Sequence, residues 1–148
     1  MSTYTQLLCH IIFSTYKRTP TLHEKGRPEL FSYISGLLKN KNCHLYRING
    51  MGDHIHIFTH VHPMINVSSL IKDIKLASSD MIKMNRLFDH FEGWQNGYGA
   101  FSINYASKNN LIEYIKNQQE HHKKVDFLDE YKSILEENGI DFDEKYLL

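Results

Sequence analysis

The order of strand-like and helix-like segments along the 148-residue chain limits the folds that it can adopt. Residues 4–15 are rich in apolar and β-branched side chains, which favours a strand, whereas residues 27–40 carry apolar side chains at helical spacing. The same patterns predict strands at 4–15, 43–49, 53–61 and 98–106, and helices at 27–40, 67–84, 108–122 and 126–138. The order β-α-β-β-α-β, followed by C-terminal helices, predicts an α+β, ferredoxin-like fold with helices packed on an antiparallel sheet.

Length and composition favour a single globular domain. Hydrophobic residues make up 41% of the chain and charged residues 23%, which is typical of a soluble protein. No apolar run is long enough to cross a membrane, and the N-terminus lacks a signal-peptide pattern, so we expect a cytoplasmic protein. Cys9 and Cys43 are the only cysteines, too few for a disulfide framework or a zinc motif.

Charge is unevenly distributed although the formal net charge is zero. Residues 1–125 hold 15 Lys and Arg against 9 Asp and Glu, whereas residues 126–148 hold 2 against 8. A basic body can bind phosphates, and an acidic segment could compete with them or dock on the basic surface. Ordinary charge scatter explains these counts equally well. The candidates for phosphate contacts are Lys17, Arg18, Lys72, Lys75, Lys108 and Lys116.

His54 and His56 are the sharpest chemical feature of the sequence. Alternate residues of a strand point to the same face, so the two imidazoles project together about 7 Å apart, while Ile55 points the other way. Paired imidazoles can bind a single metal ion. Two surface histidines remain the alternative, because the chain holds ten histidines. Asp53 could orient His54, or it could simply close the preceding turn.

Tyr114 and Gln118 are four residues apart and share one face of the predicted helix at 108–122. A phenol can attack a backbone phosphate and form a phosphotyrosine, and a metal ion can offset the charge that develops in the transition state. Gln118 could supply an oxygen ligand, and histidines with oxygen donors fit Mn²⁺ or Mg²⁺. The alternative for Tyr114 is packing at the edge of the helix, since the chain has nine tyrosines.

Other side chains could support such a site. His10 could approach the metal if the first and third strands are neighbours, although a hydrogen-bonded core histidine is the favoured interpretation. For His121 and His122 a solvated helix end is favoured over a supporting role. Trp94 and Tyr98 could stack on unpaired bases or pack in the core.

The two motifs together resemble a known family. GMGDHIHIF is similar to the HUH motif of single-tyrosine transposases from small insertion sequences, and LIEYIKNQQ resembles their catalytic helix. The stretches HIIFSTYKR, SSLIKDIKLASS and WQNGYGAFSI also resemble the family, so the similarity spans residues 4–122. The resemblance implies a ferredoxin-like fold and a metal-dependent single-stranded DNA endonuclease and strand transferase. It implies metal ligation by His54, His56 and Gln118, and nucleophilic attack by Tyr114.

The resemblance also implies a substrate and an assembly. Members of the family act on single-stranded DNA hairpins and leave a 5′-phosphotyrosine and a free 3′-OH. Many are dimers in which the tyrosine helix of one subunit completes the histidine site of the other. We therefore expect Mg²⁺ or Mn²⁺ as cofactor, hairpin or palindromic single-stranded DNA as substrate, and a homodimer.

The C-terminal segment departs from the simplest insertion-sequence pattern. We expect a catalytic domain at residues 1–125 and an acidic helical extension of the same domain at 126–148. The extension is more similar to relatives associated with repeated palindromic sequences, some of which are domesticated. A domesticated or inactive protein that binds single-stranded DNA hairpins is therefore the alternative function.

Overall fold

The fold is an antiparallel sheet of four strands, seen in a computed structural model that describes residues 1–147. Leu148, the last residue of the predicted extension, lies outside the described residues. The strands, in the spatial order β2-β3-β1-β4, are β1 (Leu8–Ser14), β2 (Leu45–Gly50), β3 (His54–His60) and β4 (Gly99–Ser102). This order confirms the predicted ferredoxin-like arrangement.

Helices cover both faces of the sheet. They are α1 (Arg27–Asn40), α2 (Val67–Asn85), α3 (Lys108–Lys116), α4 (Gln118–His121) and α5 (Phe127–Glu137). Side chains of α1 and α2 form the larger core with one face of β1 and β3. Side chains of α3 and α5 pack on the opposite face. Within residues 1–147, no helix is long and apolar enough to cross a membrane.

Strand β1 is buried on both faces because helices pack on both sides of the sheet. Ile11 and Phe13 point into the core formed with α1 and α2, whereas Ile12 points toward α5. All three side chains are fully buried, and burial of each stabilises the fold by about 1.5–3 kcal/mol. The central strand therefore links the two cores.

The β2–β3 hairpin places the histidine strand beside β1. In the β1–β3 pairing, Ile12 lies opposite His56 and Ser14 lies opposite His54. Gly50 ends β2 so close to β3 that a Cβ atom there would lie 2.3 Å from the carbonyl oxygen of His54. The absence of a side chain at Gly50 is thus required by the close approach of the two strands.

Three predicted elements are shorter than expected or interrupted. The first strand, predicted at 4–15, covers only Leu8–Ser14. The last strand, predicted at 98–106, covers only Gly99–Ser102, because the Asn104 side chain accepts a hydrogen bond from the backbone N–H of Ala106 and starts a 3₁₀ turn. The helix predicted at 108–122 is interrupted at Asn117, which separates α3 from α4. Tyr114 and Gln118 therefore lie on two consecutive helices rather than on one.

Candidate active site

Strand β3 turns two imidazole rings toward the same side of the sheet. His54 and His56 are both fully buried, while Ile55 between them joins the core on the opposite face. The Nε2 atoms of His54 and His56 lie 3.4 and 3.1 Å from the same oxygen, Oε1 of Glu130. The two imidazole nitrogens are therefore directed at one point, as alternation along a strand predicts.

A hydrogen bond at the second ring nitrogen holds each histidine. Nδ1 of His54 lies 2.7 Å from Oδ1 of Asp53, and Nδ1 of His56 lies 2.8 Å from Nε2 of His10. Burial, and then the charge of His56, lower the pKa of His10 to about 3, so this ring is neutral and its Nε2 can accept a hydrogen bond from the Nδ1–H of His56. Such contacts fix the orientation of histidines that bind metals. His10 is thus a buried core residue that also contacts the histidine pair.

Gln118 lies beside the histidines at the start of α4. Its side chain is fully buried, and its Oε1 lies 3.1 Å from Nε2 of His54. The preceding turn is held by Asn49 of β2, whose Nδ2 donates to the carbonyl oxygen of Ile115 at 2.9 Å. Gln119 instead contacts Asn49, with its Oε1 3.1 Å from Nδ2. The break after α3 therefore turns only the first of the two glutamines toward the histidines.

Tyr114 reaches the same cluster within one chain. Its hydroxyl donates a hydrogen bond to Oε2 of Glu130, and its ring lies edge-on to His56 with 5.9 Å between ring centroids. Burial, and then the negative charge of Glu130, raise the pKa of the Tyr114 phenol above its usual range. The phenol is therefore protonated at neutral pH in this arrangement.

The sequence analysis missed Glu130 of α5, which lies at the centre of this cluster. Burial alone would raise the pKa of its carboxyl, but hydrogen bonds from His122, His54 and His56 outweigh burial and hold this pKa well below its usual range. Its Oε2 also accepts a hydrogen bond from Nε2 of Gln118 at 3.0 Å. The signal that could have identified Glu130 is its position as an acid on the apolar face of an amphipathic helix.

The environment of the His122 side chain also differs from expectation. The sequence analysis favoured a solvated helix end, but the side chain is only 7% exposed and its Nε2 lies 3.0 Å from Oε1 of Glu130. His121, which is 31% exposed, lies at the edge of the cluster with its Nε2 3.5 Å from Glu130. The contact with Glu130 explains the burial of His122, because a histidine can lie in the interior when its polar atoms are paired.

The donor set fits a divalent metal ion. Ligand atoms of His54, His122 and Glu130 all lie within 4.8 Å of one another, and Nε2 of His56 contacts the same carboxylate oxygen. Imidazole nitrogens together with carboxylate and amide oxygens are suitable ligands for divalent transition metals and, through the oxygens, for Mg²⁺. A cavity of about 520 Å³ opens beside this cluster and is lined in part by His10, Ser107, Asn110, Tyr114 and Glu130.

The candidate phosphate contacts are spread over the molecule. Lys17, Lys72 and Lys116 are exposed, while Arg18, Lys75 and Lys108 are partly buried. Lys75 donates hydrogen bonds to the carbonyl oxygens of Gln95 at 2.8 Å and Gly97 at 2.5 Å, and burial lowers its pKa to about 8. These contacts hold the loop before β4, so Lys75 has a structural role whatever its relation to DNA.

Of the two aromatics considered for base stacking, Trp94 packs in the core. Its ring lies 4.9 Å from Phe13 and 5.1 Å from Phe91 between centroids, and its Nε1 donates to the Ser78 hydroxyl at 3.0 Å. Tyr98 is 38% exposed. Core packing, one of the two interpretations of Trp94, thus accounts for its position.

The fold and the cluster together define a ferredoxin-like protein that brings a tyrosine to a pair of strand histidines. The family model described as transposase IS200 like matches residues 3–118, and the chain belongs to this family. It is therefore a member of the IS200-like transposases, which confirms the resemblance inferred from its motifs.

Sequence relatives agree with this assignment, and two solved structures share the fold. The chain is 27% identical over 119 residues to the transposase for insertion sequence element IS200 of Salmonella typhimurium, covering 77% of this chain and 78% of that protein. A Salmonella typhi transposase for the same element matches equally well. A crystal structure of a Deinococcus radiodurans transposase has a TM-score of 0.62 at 20% identity, covering 80% of this chain and 95% of that one. A REP-associated tyrosine transposase bound to a REP hairpin has a TM-score of 0.60 at 16% identity, covering 84% and 76%.

Proposed function

We propose that this transposase-family protein is a metal-dependent endonuclease and strand transferase that acts on single-stranded hairpin or palindromic DNA. The observation that carries the proposal is the meeting of three groups in one buried cluster: the Tyr114 hydroxyl, the paired imidazoles of His54 and His56, and the Gln118 amide. Packing alone does not require a phenol, two imidazoles and an amide to converge beside an open cavity.

In the proposed reaction, the Tyr114 hydroxyl oxygen attacks a DNA phosphorus atom. A bond forms between this oxygen and phosphorus, and the bond from phosphorus to the 3′ oxygen breaks, which leaves a 5′-phosphotyrosine and, after protonation, a free 3′-OH. Before attack the phenolic proton is held in a hydrogen bond to Oε2 of Glu130, and its loss from the phenol is balanced by the proton that the departing 3′ oxygen takes up. Attack by a 3′-OH on the phosphotyrosine reverses these steps and joins strands without ATP.

His54, His56 and Gln118 are the proposed ligands of a divalent ion, Mn²⁺ or Mg²⁺. The ion would supply positive charge to the non-bridging phosphate oxygens as negative charge develops there. Asp53 and His10 hold the two rings in the orientation that would direct Nε2 toward such an ion. Burial of both rings excludes water from the ligands and strengthens electrostatic interactions in the cluster.

Hairpin DNA is the proposed substrate because one structural neighbour was solved with a REP hairpin bound. Contacts to the DNA backbone are proposed for Lys17, Arg18, Lys72, Lys75, Lys108 and Lys116. We also propose that residues 126–148 extend the catalytic domain of residues 1–125. The packing of α5 on Ile12 of β1 and Phe101 of β4 supports this proposal.

The homodimer remains a prediction. Tyr114 lies beside the histidines of its own chain, so this arrangement does not require a second subunit for the cluster to form. Multi-angle light scattering would determine the mass in solution. A mixture of Tyr114→Phe and His56→Ala subunits would regain cleavage only if a tyrosine can serve the histidines of its partner.

The decisive experiment is incubation of the protein with a labelled single-stranded DNA hairpin and Mn²⁺, followed by denaturing electrophoresis. We expect a covalent protein–DNA adduct that is absent with Tyr114→Phe. Tyr105→Phe is the matched control, because Tyr105 is 57% exposed and no described contact links it to the cluster; it should form the adduct like the wild type.

A hairpin-binding protein without cleavage activity is the second candidate. One observation favours it: Glu130 holds the Tyr114 hydroxyl in a hydrogen bond and keeps the phenol protonated. The same experiment separates the two functions, because this candidate predicts retarded DNA on a native gel and no adduct under denaturing conditions.

A further inference from the structure

Glu130 is buried on the apolar face of α5. Phe127, Tyr131 and Leu135 of this helix pack on β1 and β4, and Glu130 is only 3% exposed among them. Removing a carboxylate from water costs several kcal/mol unless cations or hydrogen bonds compensate. The sequence therefore places a carboxylate where an apolar side chain would otherwise be expected. The groups that contact Glu130 must offset the free-energy cost of burying it.

The partners of one Glu130 oxygen are three imidazole nitrogens. Oε1 lies 3.0 Å from Nε2 of His122, 3.1 Å from Nε2 of His56 and 3.4 Å from Nε2 of His54. Ligand atoms that are each about 2.1 Å from one ion, at angles of about 90–109°, are about 3.0–3.4 Å apart. The three distances from Oε1 to the imidazole nitrogens thus match the distance between adjacent ligands of one ion.

We infer that Glu130 of α5 and His122, which follows α4, are ligands of the same divalent ion as His54 and His56. The inference rests on the proposed function, because it takes the paired histidines of β3 as metal ligands. It adds a carboxylate and a third imidazole from the C-terminal part of the chain to the ligands proposed above. The metal centre would then join the sheet to α5.

The helix holds Glu130 in place independently of any ion. The Phe127 ring stacks on the His54 ring with 4.1 Å between centroids and 15° between planes, and it also stacks on Tyr131 at 5.6 Å. The His122 ring lies 4.6 Å from the His54 ring between centroids. Ligands that packing already orders lose little further conformational entropy when an ion binds.

The test is direct measurement of Mn²⁺ binding by calorimetry and by the electron paramagnetic resonance signal of free Mn²⁺. We expect Glu130→Gln and His122→Ala each to weaken Mn²⁺ binding about tenfold or more, the range known for disturbed metal shells. Glu136→Gln is the matched control, since it removes the same charge from an exposed position of the same helix and should bind Mn²⁺ like the wild type.

A spectroscopic measurement tests His122 separately. Electron spin-echo spectra of the Mn²⁺-loaded protein should contain ¹⁴N couplings from three imidazoles, and His122→Ala should remove one of them. If Glu130→Gln fails to fold, as judged by its circular dichroism, the affinity and couplings of His122→Ala decide the question.

The inference is overturned if both variants bind Mn²⁺ as tightly as the wild type, or more tightly, while His56→Ala abolishes binding. Glu130 would then merely cover a metal centre built from β3, and the proposed function would stand. If His56→Ala also leaves Mn²⁺ binding unchanged, the metal centre of the proposed function fails as well.

Discussion

The close approach of β2 to β3 makes Gly50 the most informative position for substitution. In Gly50→Ala the added Cβ would lie 2.3 Å from the His54 carbonyl oxygen and 2.9 Å from the Ile55 Cα. Both obstacles are backbone atoms, so no side chain can rotate out of the way. Attractive contacts between carbon atoms lie at about 3.5–4.0 Å, so the hairpin has to open by about 1 Å.

Overpacking of this kind typically costs about 1–3 kcal/mol. For a chain of this size, each kcal/mol lowers the melting temperature by about 2–4 °C, so Gly50→Ala should melt roughly 2–12 °C below the wild type. Because the displaced carbonyl belongs to His54, we also expect weaker Mn²⁺ binding. Scanning calorimetry with and without Mn²⁺ would measure both effects.

The same substitution at Gly36 should have the opposite effect on stability. Gly36 is an exposed residue inside α1, and an added Cβ would meet nothing within 4 Å. Alanine there should stabilise the protein by about 0.5–1 kcal/mol, because glycine loses more backbone freedom in a helix. If Gly50→Ala melts at or above the temperature of Gly36→Ala, the β2–β3 approach described above is wrong.

Three further predictions concern the surroundings of the cluster. His10→Leu should weaken Mn²⁺ binding about 10–100-fold in calorimetry, because His56 loses the partner of its Nδ1; unchanged affinity would remove the orienting role of His10. Phe127→Ala should lower the free energy of unfolding in urea by about 3–5 kcal/mol, since its ring is buried against His54, and a loss under 1 kcal/mol would contradict the packing of α5. Lys75 should titrate near pH 8 in ¹⁵N NMR spectra because burial lowers its pKa to about 8. Below pH 8 the buried Lys75 ammonium lowers the free energy of unfolding by its full amount. As the pH rises from 8 toward the ordinary lysine pKa of about 10.4, this destabilisation disappears. A Lys75 titration midpoint near pH 10 would contradict the prediction.

Local patterns were sufficient to predict the sheet and the direction of the histidine pair. Alternation along β3 places His54 and His56 on one face, and the helical spacing at 27–40 matches α1. These features depend on neighbours in sequence, which is why they can be read without coordinates.

Long-range contacts could not be predicted in the same way. Glu130 looked like one of many acids in a charged tail, and its burial depends on how α5 docks on the sheet. The proximity of His10 to the cluster depended on whether β1 and β3 are neighbours, which the sequence left open. The break at Asn117 follows from the hydrogen bonds that Asn49 makes to the end of α3, a contact between distant parts of the chain.

The central position of β1 has a consequence for how the chain reaches its native state. Ile12 pairs with His56 on one side and with Gly99 on the other. Strand β1 therefore acquires its two neighbours, β3 and β4, only when the long chain segments that separate them from β1 have closed into loops. The entropy of loop closure has to be overcome before these pairings contribute stability, which makes folding slower than in proteins dominated by local contacts. Until β3 and β4 have docked, the apolar faces of β1 and its open edges are exposed to association with other chains.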